Sequence, residues 1–208
     1  VCSSDLIANK FGGCTALTQL NFYASGIKGD IGSVFQSLQA LNYIEARYTS
    51  ISGEFRDNSF SGSTAMQTIL LAGSNLGLLS NNSYGTDFFG TAASATNGTV
   101  FHNTLDLRNL YAYSNKNIRG TLPDFTLNDK LRVLYLHNTG LSGNLTSFGN
   151  NDLLYYIRID YSKNGADGGV SGSVPAFNSP ALQYLFLTYN NLTGQVPDLT
   201  CPYLYYLY

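Results

Sequence analysis

The sequence repeats itself, and a period of about 20 to 50 residues restricts a chain to architectures built from stacked units. The clearest copy spans residues 182–197 and reads LQYLFLTYNNLTGQVP. Apolar residues occupy its positions 1, 4, 6 and 11, and a glycine follows at position 13. Eight copies align on their first apolar residue, although the third is degenerate and the eighth is cut short. They begin at residues 17, 41, 66, 107, 131, 154, 182 and 204.

The spacing within each unit predicts a short β-strand. Side chains alternate between the two faces of a strand, so the apolar residues at positions 4 and 6 point inward while positions 3 and 5 face outward. One unit cannot bury its apolar pair alone, whereas stacked units share a continuous apolar column and form a parallel sheet. The glycine suits a backbone conformation that a side chain would oppose.

The pattern L-x-x-L-x-L-x-x-N-x-L-x-G-x-I/V-P resembles the leucine-rich repeat of plant receptor-like kinase ectodomains and polygalacturonase-inhibitor-like proteins. The resemblance covers about residues 11–208 and implies an α/β leucine-rich-repeat solenoid, a horseshoe with a parallel β-sheet on its concave face and mostly loops and short 3-10 turns on its convex face. The chain departs from this pattern at the asparagine, which only Asn115 and Asn190 retain. Hydroxyl side chains at that position, such as Thr49 and Thr139, are expected to do part of the same work.

A single domain is expected. We predict one solenoid fragment of about eight repeats over residues 7–208, with the last repeat truncated at the end of the sequence. The interval between the third and fourth units is too long, which predicts an inserted loop at about 77–104; a functional loop, a degenerate repeat and a disordered segment all stay open for it. Its apolar anchors would be Phe88, Phe89 and Phe101. Residues 1–6 resemble a translated sequencing adapter and are expected to be a sequencing or cloning scar.

Tyrosine is concentrated at the positions predicted to face the concave side. Positions 3, 5, 7 and 8 of the eight units hold twelve of the sixteen tyrosines, where chance would place about two. Tyrosine combines a rigid apolar ring with a polar hydroxyl at low entropic cost, as binding surfaces require, but it is also a good strand residue that stacks between strands. The predicted ligand-binding face consists of Tyr23, Tyr43, Arg47, Tyr48, Tyr111, Tyr113, Tyr135, His137, Tyr156, Arg158, Tyr161, Tyr184, Phe186 and Tyr189.

Charge and hydropathy argue against several classes of partner. The net charge is −2 with no basic cluster, which gives no footprint for nucleic acid and no polybasic membrane anchor. No apolar run reaches the roughly 20 residues that cross a bilayer. Residues 160–165 resemble the opening of a calcium loop, but Ser171 stands where such a loop needs a bidentate glutamate, so a glycine-rich insertion is favoured and no metal is predicted.

Reactive side chains form no recognisable catalytic arrangement. The repeat geometry places no nucleophile or carboxylate beside His102 or His137 for acid–base work, so neither catalytic residues nor cofactors are predicted. Cys14 and Cys201 each stand three residues before the start of a unit and are predicted to be small buried core residues. Seven strand steps of about 4.8 Å separate them, too far for a disulfide.

Recognition is therefore the expected function. The sequence predicts a non-enzymatic binding module of a larger surface or secreted protein, with a protein, peptide or glycan ligand and no contact with nucleic acid or membrane; its oligomeric state is left open. A secreted hydrolase inhibitor of the polygalacturonase-inhibitor type and a structural or ice-surface repeat protein are the alternatives. Four N-x-Ser/Thr sequons favour an extracellular or cell-surface location. They begin at Asn81, Asn97, Asn144 and Asn191.

Overall fold

Eight short strands stack into one parallel sheet. The structure is a computed structural model that describes residues 10–32, 34–55, 59–79, 88–89, 100–145, 148, 151–160 and 169–208. The strands of the sheet are β1 (Gln19–Asn21), β3 (Tyr43–Glu45), β5 (Thr68–Leu70), β7 (Asn109–Tyr111), β9 (Val133–Tyr135), β11 (Tyr156–Arg158), β13 (Tyr184–Phe186) and β15 (Tyr206–Leu207), side by side in that order. Each begins two residues after the predicted start of its unit, so the predicted parallel-sheet solenoid is confirmed.

A second set of strands, one after the turn that follows each main strand in seven of the units, forms three small parallel sheets. They are β2 (Lys28–Asp30) with β4 (Ser50–Gly53) and β6 (Asn75–Leu76), β8 (Arg119–Thr121) with β10 (Gly140–Ser142), and β12 (Ser171–Ser173) with β14 (Asn191–Thr193). The resemblance implied mostly loops and short 3-10 turns on the convex face, and the described part of the chain contains no helical residue. The glycine-containing tails of adjacent units lie in register, so their backbone groups pair with one another instead.

A row of phenylalanines fills the interior behind the sheet. Successive ring centroids lie 5.3 to 6.3 Å apart and the ring planes are within 26° of each other. This phenylalanine spine consists of Phe35, Phe60, Phe101, Phe125, Phe148 and Phe177, all buried. Each ring stands five or six residues before the start of its unit, so the repeat brings one ring per unit to the same place.

The long interval between the third and fourth units contributes side chains to this core. Phe88 and Phe89 are fully buried. The ring of Phe88 lies 5.2 Å from that of Phe55, and Phe89 lies 5.6 Å from Phe101 of the spine. The predicted apolar anchors of the insertion thus pack into the core. Most of the residues between them lie outside the described ranges.

Polar side chains at the turn after each strand bind backbone carbonyls. The amide of Asn115 donates to the carbonyls of Leu71 in the preceding unit and Ala112 in its own, at 2.9 and 3.0 Å. Where threonine replaces asparagine, the single hydroxyl of Thr139 donates to Leu136 of its own unit at 2.8 Å. The expectation that hydroxyls do part of the work of asparagine is confirmed, since one donor makes one of the two bonds.

The prediction for the cysteines is wrong for Cys14 and needs revision for Cys201. Cys14 is exposed, because the described residues hold no unit on its outer side. Cys201 is half-buried, and its thiol donates a hydrogen bond to the carbonyl of Phe177 at 3.3 Å. In other units the same slot holds polar residues such as Ser179 and Asn151, which also donate to carbonyls of the unit before. This position therefore holds a hydrogen-bond donor that links one unit to the unit before it. Whether the side chain is buried depends on whether another unit packs against it.

Candidate functional site

The repeat brings the predicted binding residues together on one face of the eight-stranded sheet. Tyr161 lies outside the described residues; the other thirteen are each half-buried or exposed, and none is in the interior. Strand register places Tyr156 beside Tyr184, Tyr111 beside Tyr135, and Arg158 beside Phe186. Not every outward position is open, because Leu70 and Val133 on the same face are buried beneath their neighbours.

Five tyrosines on this face stack into a continuous column, here called the tyrosine ladder. It consists of Tyr111, Tyr135, Tyr156, Tyr184 and Tyr206. Successive ring centroids lie 4.8, 4.6, 5.0 and 5.4 Å apart, with interplanar angles of 12 to 26°. This spacing is close to the distance of about 4.8 Å between adjacent strands, so the sheet itself sets the stacking.

The path of the ladder is oblique to the strands. Tyr111 and Tyr135 occupy position 5 of their units, whereas Tyr156 occupies position 3 and lies in register with Val133. Because Val133 is small and buried, the ring of Tyr135 leans over to Tyr156 in its place. Tyr206 is one of the twelve tyrosines at the predicted concave positions, but the predicted ligand-binding face did not include it.

Stacking leaves edges and hydroxyls, and few ring faces, for a ligand. Each inner ring of the ladder has another ring on both of its faces, so stacking leaves only its edge and its hydroxyl uncovered by rings. Burial, then the neighbouring Tyr156 hydroxyl, raises the pKa of Tyr135, and burial likewise raises the pKa of Tyr111. Both phenols stay protonated at neutral pH and can donate as well as accept hydrogen bonds.

Further aromatic rings flank the ladder on both sides. Phe186 stacks on Tyr208 at 5.1 Å, and Tyr113 stacks on His137 at 4.6 Å with ring planes 8° apart. His137 also meets the edge of Tyr135 at 5.7 Å. The aromatic surface therefore widens to two or three rings across the middle and end of the sheet.

A separate group of side chains covers the concave face at the first two units. Tyr23 meets Tyr48 edge-on at 5.8 Å, and the guanidinium of Arg47 lies over the ring of Tyr23 at 5.4 Å. The ring of Tyr48 covers Gly73, where an added Cβ would lie 2.8 Å from a ring carbon. A side chain at Gly73 would displace Tyr48, so this glycine positions it.

Two exposed tyrosines occupy a strained backbone position. Tyr48 and Tyr189 have φ values of 57° and 58°, in the left-handed region. This conformation recurs at position 8 of other units, where it is held by small or turn-favouring residues, among them Gly73, Ser114 and Asn138. A tyrosine there costs on the order of 1 kcal/mol relative to glycine, without gaining burial.

The charges on the concave face are paired within their own units. Arg47 forms a bidentate ion pair with the buried carboxylate of Glu45, with its Nη2 2.6 Å from Oε2, and Arg158 pairs with the buried Asp160 at 2.7 Å. The carboxylates raise the pKa of both guanidinium groups. These two arginines of the predicted binding face are thus each neutralised by a carboxylate.

His137 is held in its neutral form by its surroundings. Burial, and secondarily the positive charge of Arg158, lowers its pKa to about 4, against the opposing effect of Asp160. Its buried Nδ1 has no hydrogen-bond partner among the described residues. The imidazole therefore acts as a flat ring stacked on Tyr113 and as an uncharged part of the face.

We expect the depressed pKa of His137 to make stability depend on pH. Between pH 6.5 and 4 the unfolded chain binds a proton at this histidine while the folded chain does not, so acidification favours unfolding. The loss should be on the order of 1 kcal/mol, since partial exposure of the ring weakens the effect. Urea unfolding of the protein and of His137→Phe at pH 7 and pH 4.5 measures it. Phenylalanine keeps the stack with Tyr113, so an undiminished pH slope in this variant contradicts the assignment.

The described residues hold no metal-ligand cluster and no membrane-spanning helix. No three histidine, cysteine or acidic side chains in these ranges are arranged to bind an ion, and residues 161–168 of the suspected calcium loop lie outside them. Asp160, which would open that loop, is buried and paired with Arg158. Across the same ranges, no helix has the length and hydropathy to cross a membrane.

Comparisons with known proteins identify the fold. The sequence matches no protein-family model and no curated protein. The structure is similar to the leucine-rich-repeat ectodomain of the plant membrane receptor kinase GASSHO1/SCHENGEN3 from Arabidopsis thaliana, solved in complex with CASPARIAN STRIP INTEGRITY FACTOR 2, with a TM-score of 0.70, 16% identity and coverage of 90% of this chain and 20% of that one. It is also similar to a TDR receptor, with a TM-score of 0.65, 19% identity and coverage of 87% and 28%.

A third similar structure is the plant peptide hormone receptor RGFR1 in complex with RGF2, with a TM-score of 0.60, 20% identity and coverage of 90% of this chain and 30% of that one. At these identities the likeness establishes the fold, which is a leucine-rich-repeat solenoid. The chain spans between 20% and 30% of the length of these three structures.

Proposed function

We propose that this leucine-rich-repeat solenoid is a recognition module that binds an extended peptide, or an extended segment of a protein, along the tyrosine ladder. The observation that carries the proposal is the continuous stack of five phenols on an open face. Stacking between strands explains why rings sit together, but it does not explain why tyrosine is used where phenylalanine would stack equally well. The hydroxyl groups are the added feature, because each can both donate and accept a hydrogen bond.

The geometry of the ladder favours a peptide over a stacked glycan. The four ladder steps of 4.6 to 5.4 Å match an extended peptide of about six residues at roughly 3.3 Å each. A phenol can donate to a peptide carbonyl and accept from a peptide N–H, so a row of phenols can follow a backbone. A sugar ring needs an open aromatic face, and the inner rings of the ladder offer none.

The exposed tyrosines with left-handed backbone support the same proposal. Tyr48 and Tyr189 flank the face at opposite ends of the sheet, where they accept an unfavourable conformation while staying more than half exposed. Contact with a ligand would add to the contacts that these side chains make within the protein and would help to offset the cost of their backbone conformation. They would grip the two ends of a longer ligand.

We place the module in an extracellular or cell-surface protein. The similar structures include a membrane receptor ectodomain and a peptide hormone receptor, and this chain has the same fold. Two sequons agree with that location, because Asn144 and Asn191 are exposed and could accept a glycan. The sequons at Asn81 and Asn97 lie outside the described residues.

Removing ladder hydroxyls while keeping the rings tests the proposal. Peptides would be selected on the protein from a displayed library of random twelve-residue sequences and measured against a variant carrying Tyr111→Phe, Tyr135→Phe and Tyr184→Phe. We expect binding to weaken by about 10- to 1,000-fold, since each lost hydrogen bond contributes about 0.5 to 1.5 kcal/mol. The stacked rings stay, so urea unfolding should change little.

A matched variant lies on the edge of the sheet, outside the ladder. Tyr155→Phe, Tyr203→Phe and Tyr205→Phe together remove the same number of hydroxyls from exposed positions. This variant should bind the selected peptides as the unmodified protein does. Equal binding by both triple variants, or a library that yields no peptide, would refute the peptide proposal.

A further inference from the structure

A groove lies beside the tyrosine ladder, on the edge where the strands begin. It has a volume of about 550 Å³, within the range of about 300 to 1,000 Å³ that is usual for small-ligand sites. Its walls include Arg132, Asp152, Leu153, Tyr155, Gln183 and Tyr203. Three of these residues immediately precede strands β9, β11 and β13, so the regular rise of the repeat spaces them along the groove.

The tyrosines of this groove differ from those of the ladder. Tyr155 and Tyr203 are 39% and 69% exposed, and neither has a ring stacked against it within the described ranges. The face of an aromatic ring is electron-rich and attracts weakly positive C–H groups. The inner rings of the ladder are covered on both faces by other rings, whereas Tyr155 and Tyr203 have no such aromatic neighbours among the described residues.

The polar groups of the groove suit a ligand that carries many hydroxyls. Arg132, Asp152 and Gln183 are exposed, planar side chains that make no side-chain hydrogen bond or ion pair elsewhere in the described structure. The guanidinium of Arg132 donates hydrogen bonds, the carboxylate of Asp152 accepts them and the amide of Gln183 does both. Each of these groups can bind two adjacent hydroxyls of a ligand. One cation and one anion balance, so the groove favours a neutral ligand over a charged one.

We propose that this groove binds a neutral oligosaccharide, independently of the peptide proposed for the ladder. Sugars whose hydroxyls are equatorial have flat C–H faces for Tyr155 and Tyr203 and a rim of hydroxyls for the three planar side chains. The volume holds about two or three hexose units. A proline-rich peptide would also cover tyrosines, but it would leave most of these donors and acceptors unpaired.

Saturation-transfer NMR on the 208-residue chain with cellotriose tests this site. At about 10 mM trisaccharide, tenfold above a Kd of about 1 mM, we expect transfer from the protein to the ring C–H protons. Tyr203→Ala should weaken binding at least tenfold, and because Tyr203 is largely exposed the variant should stay folded. Tyr205→Ala, which removes an exposed ring that does not line the groove, is the matched control and should bind cellotriose normally.

The proposal is overturned by no transfer to cellotriose, by equal transfer with Tyr203→Ala, or by loss of transfer only with Tyr205→Ala. Transfer to a polyproline peptide with none to cellotriose also counts against it and assigns the groove to a protein partner. The ladder variant with three phenylalanines separates the two sites. It should lose the selected peptides and keep cellotriose, so failure of either proposal leaves the other standing.

Discussion

Gly77→Ala should destabilise the protein by more than about 3 kcal/mol in urea unfolding, a large fraction of the roughly 5 to 15 kcal/mol by which most folded chains are stable. Gly77 has a φ of +84°, and a Cβ there would collide with the backbone carbonyl of Asn117 and lie 2.7 Å from the nitrogen of Ile118. Backbone atoms cannot move aside as a flexible side chain can. The third unit, at the start of the long interval, therefore packs directly on the backbone of the fourth.

Gly194→Ala is the matched control, because its φ is +81° and the nearest atom to an added Cβ is the Cβ of Ser173 at 3.6 Å. It keeps the backbone penalty of about 1 kcal/mol and removes the collision. The difference between the two variants thus measures the close approach alone. Equal losses would mean that the third and fourth units are not in contact at Gly77.

Phe101→Ala should cost about 3 to 5 kcal/mol, because a fully buried ring leaves a cavity that its neighbours cannot fill. Phe101 stacks on Phe60 at 6.0 Å and Phe125 at 5.7 Å, and it contacts Phe89 from the long interval at 5.6 Å. It joins the two parts of the phenylalanine spine. Thermal or urea unfolding measures the loss, and a second, earlier transition is expected if the spine divides there.

The concave ring of Phe186 provides the comparison for this substitution. Phe186 stacks on Tyr208 and lies under the guanidinium of Arg158, but it is only half-buried. Phe186→Ala should therefore cost about 1 kcal/mol, mostly in stacking. If Phe186→Ala destabilises the protein as much as Phe101→Ala, the rings on the concave face stabilise the fold as much as the phenylalanine spine does. The spine would then not be the main source of aromatic stabilisation.

The strands were predictable from the sequence because their signal is local. The apolar residues at positions 1, 4 and 6 of each unit lie within six residues of one another, so even the degenerate unit at Met66 could be placed before β5. The set of residues on the concave face followed from the same counting. Alternation fixes which side of a strand a residue takes, and stacking then brings one residue per unit into a row.

The contacts between units could not be predicted in this way. The step of the ladder from Tyr135 to Tyr156 depends on the burial of Val133, which the sequence pattern treats as another outward position. The pairing of Arg47 with Glu45 depends on side-chain conformations. The spine had a periodic signal, a phenylalanine five or six residues before each of the first seven starts, but it stands outside the segment on which the units were aligned.

Neutralisation of the two concave arginines by Glu45 and Asp160 also governs how fast a partner can arrive. A face without a net field does not draw in a charged molecule from a distance, so encounters depend on diffusion and orientation, with association rate constants of about 10⁵ to 10⁶ M⁻¹s⁻¹. Added salt has little long-range attraction to screen. Differences in affinity between partners then arise mainly from their dissociation rates. A module of this kind can distinguish uncharged sequences as readily as charged ones.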